Sequence, residues 1–186
     1  MNKFAVKSLA LALMMVGGSA MAAGASGAAS TVTGGSVHFT GSVVDAACAV
    51  SQDSVNKEVP MGQVRLAAFG DQPTAGVEAG QKVPFTITLA DCDTTTIKNA
   101  TVTFNGDSAG ETGALDNTAG TGSAKGIGVQ LYDHDGTKLA LGTASAKQAL
   151  NDGTSTLNFS ADYITTASSP TAGNVDATAT FNVTYE

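Results

Sequence analysis

Large apolar residues recur at every second position along most of this chain, and that period constrains its fold more than any other feature. Phe85, Ile87 and Leu89 alternate with Thr86 and Thr88, and Val102 and Phe104 alternate with threonines. Ile127, Val129 and Leu131 repeat the pattern, as do Leu157, Phe159, Ala161 and Tyr163. The chain ends on Ala177, Ala179, Phe181, Val183 and Tyr185, with Thr and Asn between them. Successive side chains of a strand point to opposite faces, so each stretch offers one face to a core and one to water. Asp133-His134-Asp135-Gly136 separates Leu131 from Leu139 and Leu141 and predicts a hairpin, with a second turn at Asn151-Asp152-Gly153. Val59 to Leu66 is a weaker strand candidate in which Met61 packs inward. Ala67–Gln81, Asn105–Lys125 and Thr165–Val175 read as loops, and only the short stretch Ala144–Leu150 has helical propensity. About seven or eight short strands joined by turns predict an all-β sandwich.

The stretch Ser36–Val50 opens this series and divides near Gly41. Upstream, Ala23–Gly35 is built of small residues and buries too little surface to fold alone. It runs directly into strand alternation at Ser36-Val37-His38-Phe39, with Val37 and Phe39 on the face suited to burial and His38 on the solvated one. Downstream, Val43–Val50 reads as the first strand of the sandwich, pinned by Cys48, one of only two cysteines.

The first residues are an address. Lys3 and Lys7 precede an apolar run, Leu9 to Val16, and Ala20-Met21-Ala22 fits the small-x-small cleavage pattern, so cleavage is expected between Ala22 and Ala23. Cleavage removes 2 of the 9 basic residues, leaving 7 against 16 acidic ones, or −9. That balance excludes a nucleic-acid partner, which requires clustered Lys and Arg. In an exported chain, Cys48 and Cys92 most simply pair with each other. Metal and catalytic-thiol readings lack partners, since His38 and His134 are the only histidines. Asp133-x-Asp135-Gly136 resembles the start of a calcium loop but lacks the closing Glu. No Ser-His-Asp set, phosphate loop, metal site or cofactor site emerges, so the chain is expected not to be an enzyme.

Five short motifs in order point to a family. Gly34-Gly35-Ser36-Val37-His38-Phe39-Thr40-Gly41-Ser42-Val43-Val44, followed by Ala46-Ala47-Cys48-Ala49-Val50, closely resembles the start of type 1 fimbrial major subunits, pilins of the chaperone–usher route. Met61-Gly62-Gln63-Val64-Arg65, Leu89-Ala90-Asp91-Cys92-Asp93, Gly128-Val129-Gln130-Leu131 and the ending Ala179 to Tyr185 are similar to later segments of the same pilins. The resemblance implies an incomplete immunoglobulin-like β-sandwich that lacks its final strand and is completed in trans by a donor strand. It implies a signal peptide over 1–22, a donor extension over 23–41 and a pilin domain over 42–186. Gly35, Val37 and Phe39 would be the inserting donor residues, with Gly35 entering a pocket too tight for a side chain. Ala179, Phe181, Val183 and Tyr185 would be the acceptor strand, which a chaperone also contacts. The implied partners are neighbouring subunits in a homopolymer, a periplasmic chaperone, an outer-membrane usher and a tip adaptor or adhesin. The implied place is a surface fimbria reached through the periplasm. A minor or adaptor pilin is the alternative within the pathway. A secreted ligand-binding sandwich is the alternative outside it, though a chain with no Trp has little to stack on a sugar.

Overall fold

The computed structural model describes residues 34–186, which divide into two compact units between Gly41 and Ser42. The cleavage position Ala22–Ala23 lies outside the described residues. In the first unit, residues 34–41 are exposed and adopt neither strand nor helix. The second unit contains β1 (Ala49–Val50), β2 (Val83–Cys92), β3 (Asn99–Gly106), β4 (Ile127–Tyr132), β5 (Lys138–Leu139), β6 (Gln148–Ala149), β7 (Gly153–Thr165) and β8 (Ala179–Tyr185). They form a five-stranded sheet in the order β1-β2-β7-β4-β5 and a three-stranded sheet in the order β6-β3-β8, every pairing antiparallel.

The alternation of the sequence becomes the core directly. Phe85 pairs with Phe159 and Ile87 with Leu157 across β2 and β7, while Val102 pairs with Val183 and Phe104 with Phe181 across β3 and β8. Phe104 meets Phe159 edge-on with ring centroids 5.1 Å apart, which joins the two sheets at the centre. Burying side chains of this size contributes about 1.5–3 kcal/mol each. The predicted hairpin forms: Leu131 pairs with Leu139, and Gly136, at φ 84°, donates its N–H to the Asp133 carbonyl.

Several stretches depart from the sequence-based expectation, each for a local reason. Only Ala49–Val50 of the expected Val43–Val50 strand pairs with β2, and Val43 and Val44 stand exposed. Asp91 turns the backbone to φ 53° and β2 ends at Cys92, so residues farther upstream find no ladder to join. Val59–Leu66 forms no strand. Pro60 removes a donor, Gly62 adopts φ 71°, and Leu66 opens a 3-10 turn to Phe69. Met61 does pack against the core. Ala144–Leu150 is extended and contributes β6, since so short a segment is not stable as a helix without packing. Within the expected loop Asn105–Lys125, Gly110–Thr112 forms a 3-10 turn and Leu115 exchanges backbone hydrogen bonds with Val129. The last strand starts at Ala179 rather than Ala177.

A buried carboxylate steadies the route into β2. Asp162, fully buried on β7, accepts hydrogen bonds from the N–H groups of Gly80, Gln81 and Tyr163 at 2.8–3.1 Å. Such donors replace the water a buried charge has lost. Nothing in the alternation of β7 marks this residue, because it lies on the face opposite Leu157 and Phe159.

Cys48 and Cys92 are joined by a disulfide across a sequence separation of 44. Closing a loop of that length lowers the entropy of the unfolded chain, worth about 4 kcal/mol. Replacing both cysteines with Ser is therefore expected to lower the unfolding free energy by about that amount, read from a denaturant titration. An unchanged midpoint and slope would show the bond to be dispensable.

Candidate functional site

β8 carries the most consequential geometry in the molecule. It pairs with β3 along one flank, from Ala100 opposite Tyr185 to Gly106 opposite Ala179, and among the described residues it pairs with no strand on the other. Its inward residues Ala179, Phe181, Val183 and Tyr185 are only half-buried, whereas Val102 and Phe104 on the adjoining β3 are buried fully. An unpaired flank that leaves apolar side chains half covered is a template for another strand.

Along that flank runs an open cavity of about 1080 Å³. One wall is the segment Val175–Phe181, and the other is Ser54–Gly62. The floor consists of core side chains, including Phe85, Ile87, Phe104 and Leu131. Of the four residues expected on the acceptor strand, Ala179 and Phe181 line this cavity. Val183 and Tyr185 lie farther along β8 and are not part of its lining.

Two tyrosine hydroxyls brace the walls. Tyr185 donates to the Cys48 carbonyl at 3.1 Å and so ties β8 to the opposite sheet beside the disulfide. Tyr163 donates to the Gly62 carbonyl at 2.9 Å and holds the far end of the second wall. The helical turn Gln52–Val55 (α1) is pinned at the start of that wall, where the buried Ser54 hydroxyl accepts the Thr88 N–H at 2.9 Å. Sequence reasoning missed this second wall by reading Val59–Leu66 as a strand, although Pro60 and Gly62 both argue for an irregular path.

The residues expected to donate lie in the first unit. Val37 and Phe39 are 75% and 87% exposed, an unusual state for large apolar side chains, and neither they nor Gly35 form a strand. His38 is exposed, as its place on the solvated face predicts. The described residues include no cluster of His, Cys, Asp and Glu able to hold a metal ion. What the site offers is backbone N–H and C=O groups beside an apolar trough.

A two-sheet sandwich with an open flank on its last strand defines a polymerising subunit of the incomplete immunoglobulin-like class. The comparisons with known proteins agree. The fimbrial protein family model matches residues 37–186, and the chain belongs to that family. It is 44% identical over 165 residues to the type-1 fimbrial protein A chain of Escherichia coli K12, covering 86% of this chain and 87% of that one. It is 46% identical over 163 residues to the type 1 fimbrial subunit of Klebsiella pneumoniae, covering 84% and 86%. A subunit from the structure of a chaperone–usher pilus superposes with a TM-score of 0.65 at 25% identity, covering 85% of this chain and 100% of that one. The P pilus rod subunit shares the fold at a TM-score of 0.61 and 23% identity, covering 76% and 100%. The protein is a structural pilin of a fimbrial rod.

Burial raises the phenol pKa values of Tyr163 and Tyr185, and burial together with the nearby Glu78 carboxylate raises that of Tyr132. A raised folded value adds stability that is fully present below the ordinary tyrosine range and lost as pH climbs through it. Resistance to thermal unfolding is thus expected to weaken above about pH 10. Tyr185→Phe should cost about 1 kcal/mol at neutral pH, from the lost bond to Cys48, and should make the alkaline decline shallower. An identical decline in the variant would show that Tyr185 plays no part in it.

Proposed function

We propose that this chain builds its rod by donor-strand exchange. The segment around Gly35, Val37 and Phe39 of one subunit enters the groove of its neighbour and pairs antiparallel with β8 along Ala179, Phe181, Val183 and Tyr185. The observation that carries this reading is the match between an unpaired, half-covered strand and an exposed stretch with apolar residues at every second position. Strand addition of this kind is a known mode of pilin recognition, in which main-chain bonds give affinity and alternate side chains give specificity. Burying Val37 and Phe39 contributes roughly 1.5–3 kcal/mol each. Gly35 serves where the backbone must approach too closely for a side chain. Because donor and acceptor are different surfaces of the subunit, the contact is heterologous and propagates into an open helical filament.

The same flank explains the further partners. A periplasmic chaperone supplies a temporary strand to β8 and keeps the edge from aggregating before an outer-membrane usher receives the subunit. A tip adaptor or adhesin starts the fibre, and the assembled rod supports adhesion. Export follows cleavage between Ala22 and Ala23, which separates a signal peptide over 1–22 from a donor extension over 23–41 and a pilin domain over 42–186. No catalytic step is assigned to the chain: assembly exchanges hydrogen bonds and buried surface, with no covalent bond made or broken.

Deleting 23–41 from the mature chain should leave a folded subunit absent from surface fibres, scored by electron microscopy and mass spectrometry of sheared material. Fibres rich in the deleted subunit would remove the donor assignment. Gly35→Leu should slow fibre growth at least about tenfold, because obstructing a tight site costs on the order of 1–3 kcal/mol. Unchanged growth kinetics would count against the role given to Gly35.

A further inference from the structure

The end of the groove where β8 begins is formed by two loops that share one side chain, Asn117. Its amide nitrogen donates to the carbonyls of Ala124 and Asn174, both at 2.9 Å. Its carbonyl oxygen accepts from the N–H groups of Ala119 at 3.1 Å and Asp176 at 3.0 Å. Both donors and both acceptor positions of the carboxamide are thus used.

The backbone around it is laced in the same sense. Thr118 donates to the Asp176 carbonyl at 2.8 Å, Ala124 to that of Asn174 and Asn174 to that of Gly122, each at 2.9 Å. Gly173 lies so close that a Cβ added there would stand 2.3 Å from the Ala124 nitrogen. Residues 117–124 and 173–176 therefore move as one block.

What that block supports is thin. Val175 and Asp176 line the acceptor groove, and the same two residues line a second hollow of about 700 Å³. The segment is a partition with open space on both sides. Close packing would normally hold such a segment in place. Here Val175 packs against the core while Asp176 is exposed, so hydrogen bonds share that task, and the Asn117 side chain adds to the backbone bonds between the two loops.

We propose that Asn117 is the positioning residue of the acceptor groove. It holds the Val175–Asp176 partition clear of the trough, so that β8 begins with its inward face open to an incoming strand. This inference rests on the donor-strand reading above.

The test is the association rate of a fluorescent peptide of residues 23–41 with the full mature chain, measured by stopped flow at neutral pH and near pH 4. Asn117→Asp keeps the shape but sets a carboxylate against two carbonyl groups. Association should slow about tenfold at neutral pH and recover toward the wild-type rate near pH 4, where the protonated carboxyl donates again. Asn117→Ala should slow association about threefold with no such recovery, and it keeps the question answerable if the Asp variant fails to fold. A merely structural role lowers the melting temperature without a pH-dependent rate. Rates equal to wild type in both variants would overturn the proposal while leaving the donor-strand reading intact. A wild-type chain that takes up no peptide would overturn that reading, and this inference with it.

Discussion

The structure depends on a hydrogen-bond ladder that, among the described residues, is filled on one side only. β8 satisfies its backbone against β3 and leaves its other flank unpaired among the described residues. An isolated sandwich would normally hide such an edge with charge, proline or a bulge. Here the outward face carries Thr180, Asn182 and Thr184, and the inward face carries Phe181 and Val183, so the edge stays straight and receptive. The subunit is a finished core with an unfinished boundary, and the boundary is where its function lies.

Holding that boundary open requires bracing, because half-buried apolar side chains tend to collapse together. The Tyr185 hydroxyl reaches across to Cys48, the Tyr163 hydroxyl reaches to Gly62, and Ser54 locks α1 onto β2. The floor rings of Phe85 and Phe104 pack on one another and on Phe159, and Phe104 also meets Phe181 of the wall, so the floor is held by both sheets. Each brace involves a backbone group or a core ring, so the groove keeps its shape through the same contacts that stabilise the fold.

Much of this was legible in the chain itself. The period of two in β2, β3, β4, β7 and β8 announced the strands, because side-chain direction in a strand is fixed by the backbone alone. The Asp-Gly turn and the cysteine pair were legible for equally local reasons. The illegible parts depend on where distant segments meet. Val43 and Val44 look like strand residues, yet β2 turns away at Asp91 before it could pair with them. The groove's second wall follows from Pro60 and Gly62 acting against an otherwise plausible strand. Asp162 and Asn117 are single polar residues in stretches read for their apolar pattern or as loop, and only the partners brought to them by the fold reveal their tasks.

The disulfide has a mechanical consequence. Where subunits are joined through their N-terminal segments, as proposed above, a pull along the rod reaches Cys48 before it reaches any strand. From there the load crosses the covalent bond to Cys92 at the end of β2, beside β7. The stretch between the two cysteines, a sequence separation of 44, is thereby withheld from extension. At 3.3–3.6 Å per residue, roughly 150 Å of contour length is locked away in every subunit. A fibre built from such units can stretch by rearranging its subunits, while each subunit gives up little of its own chain.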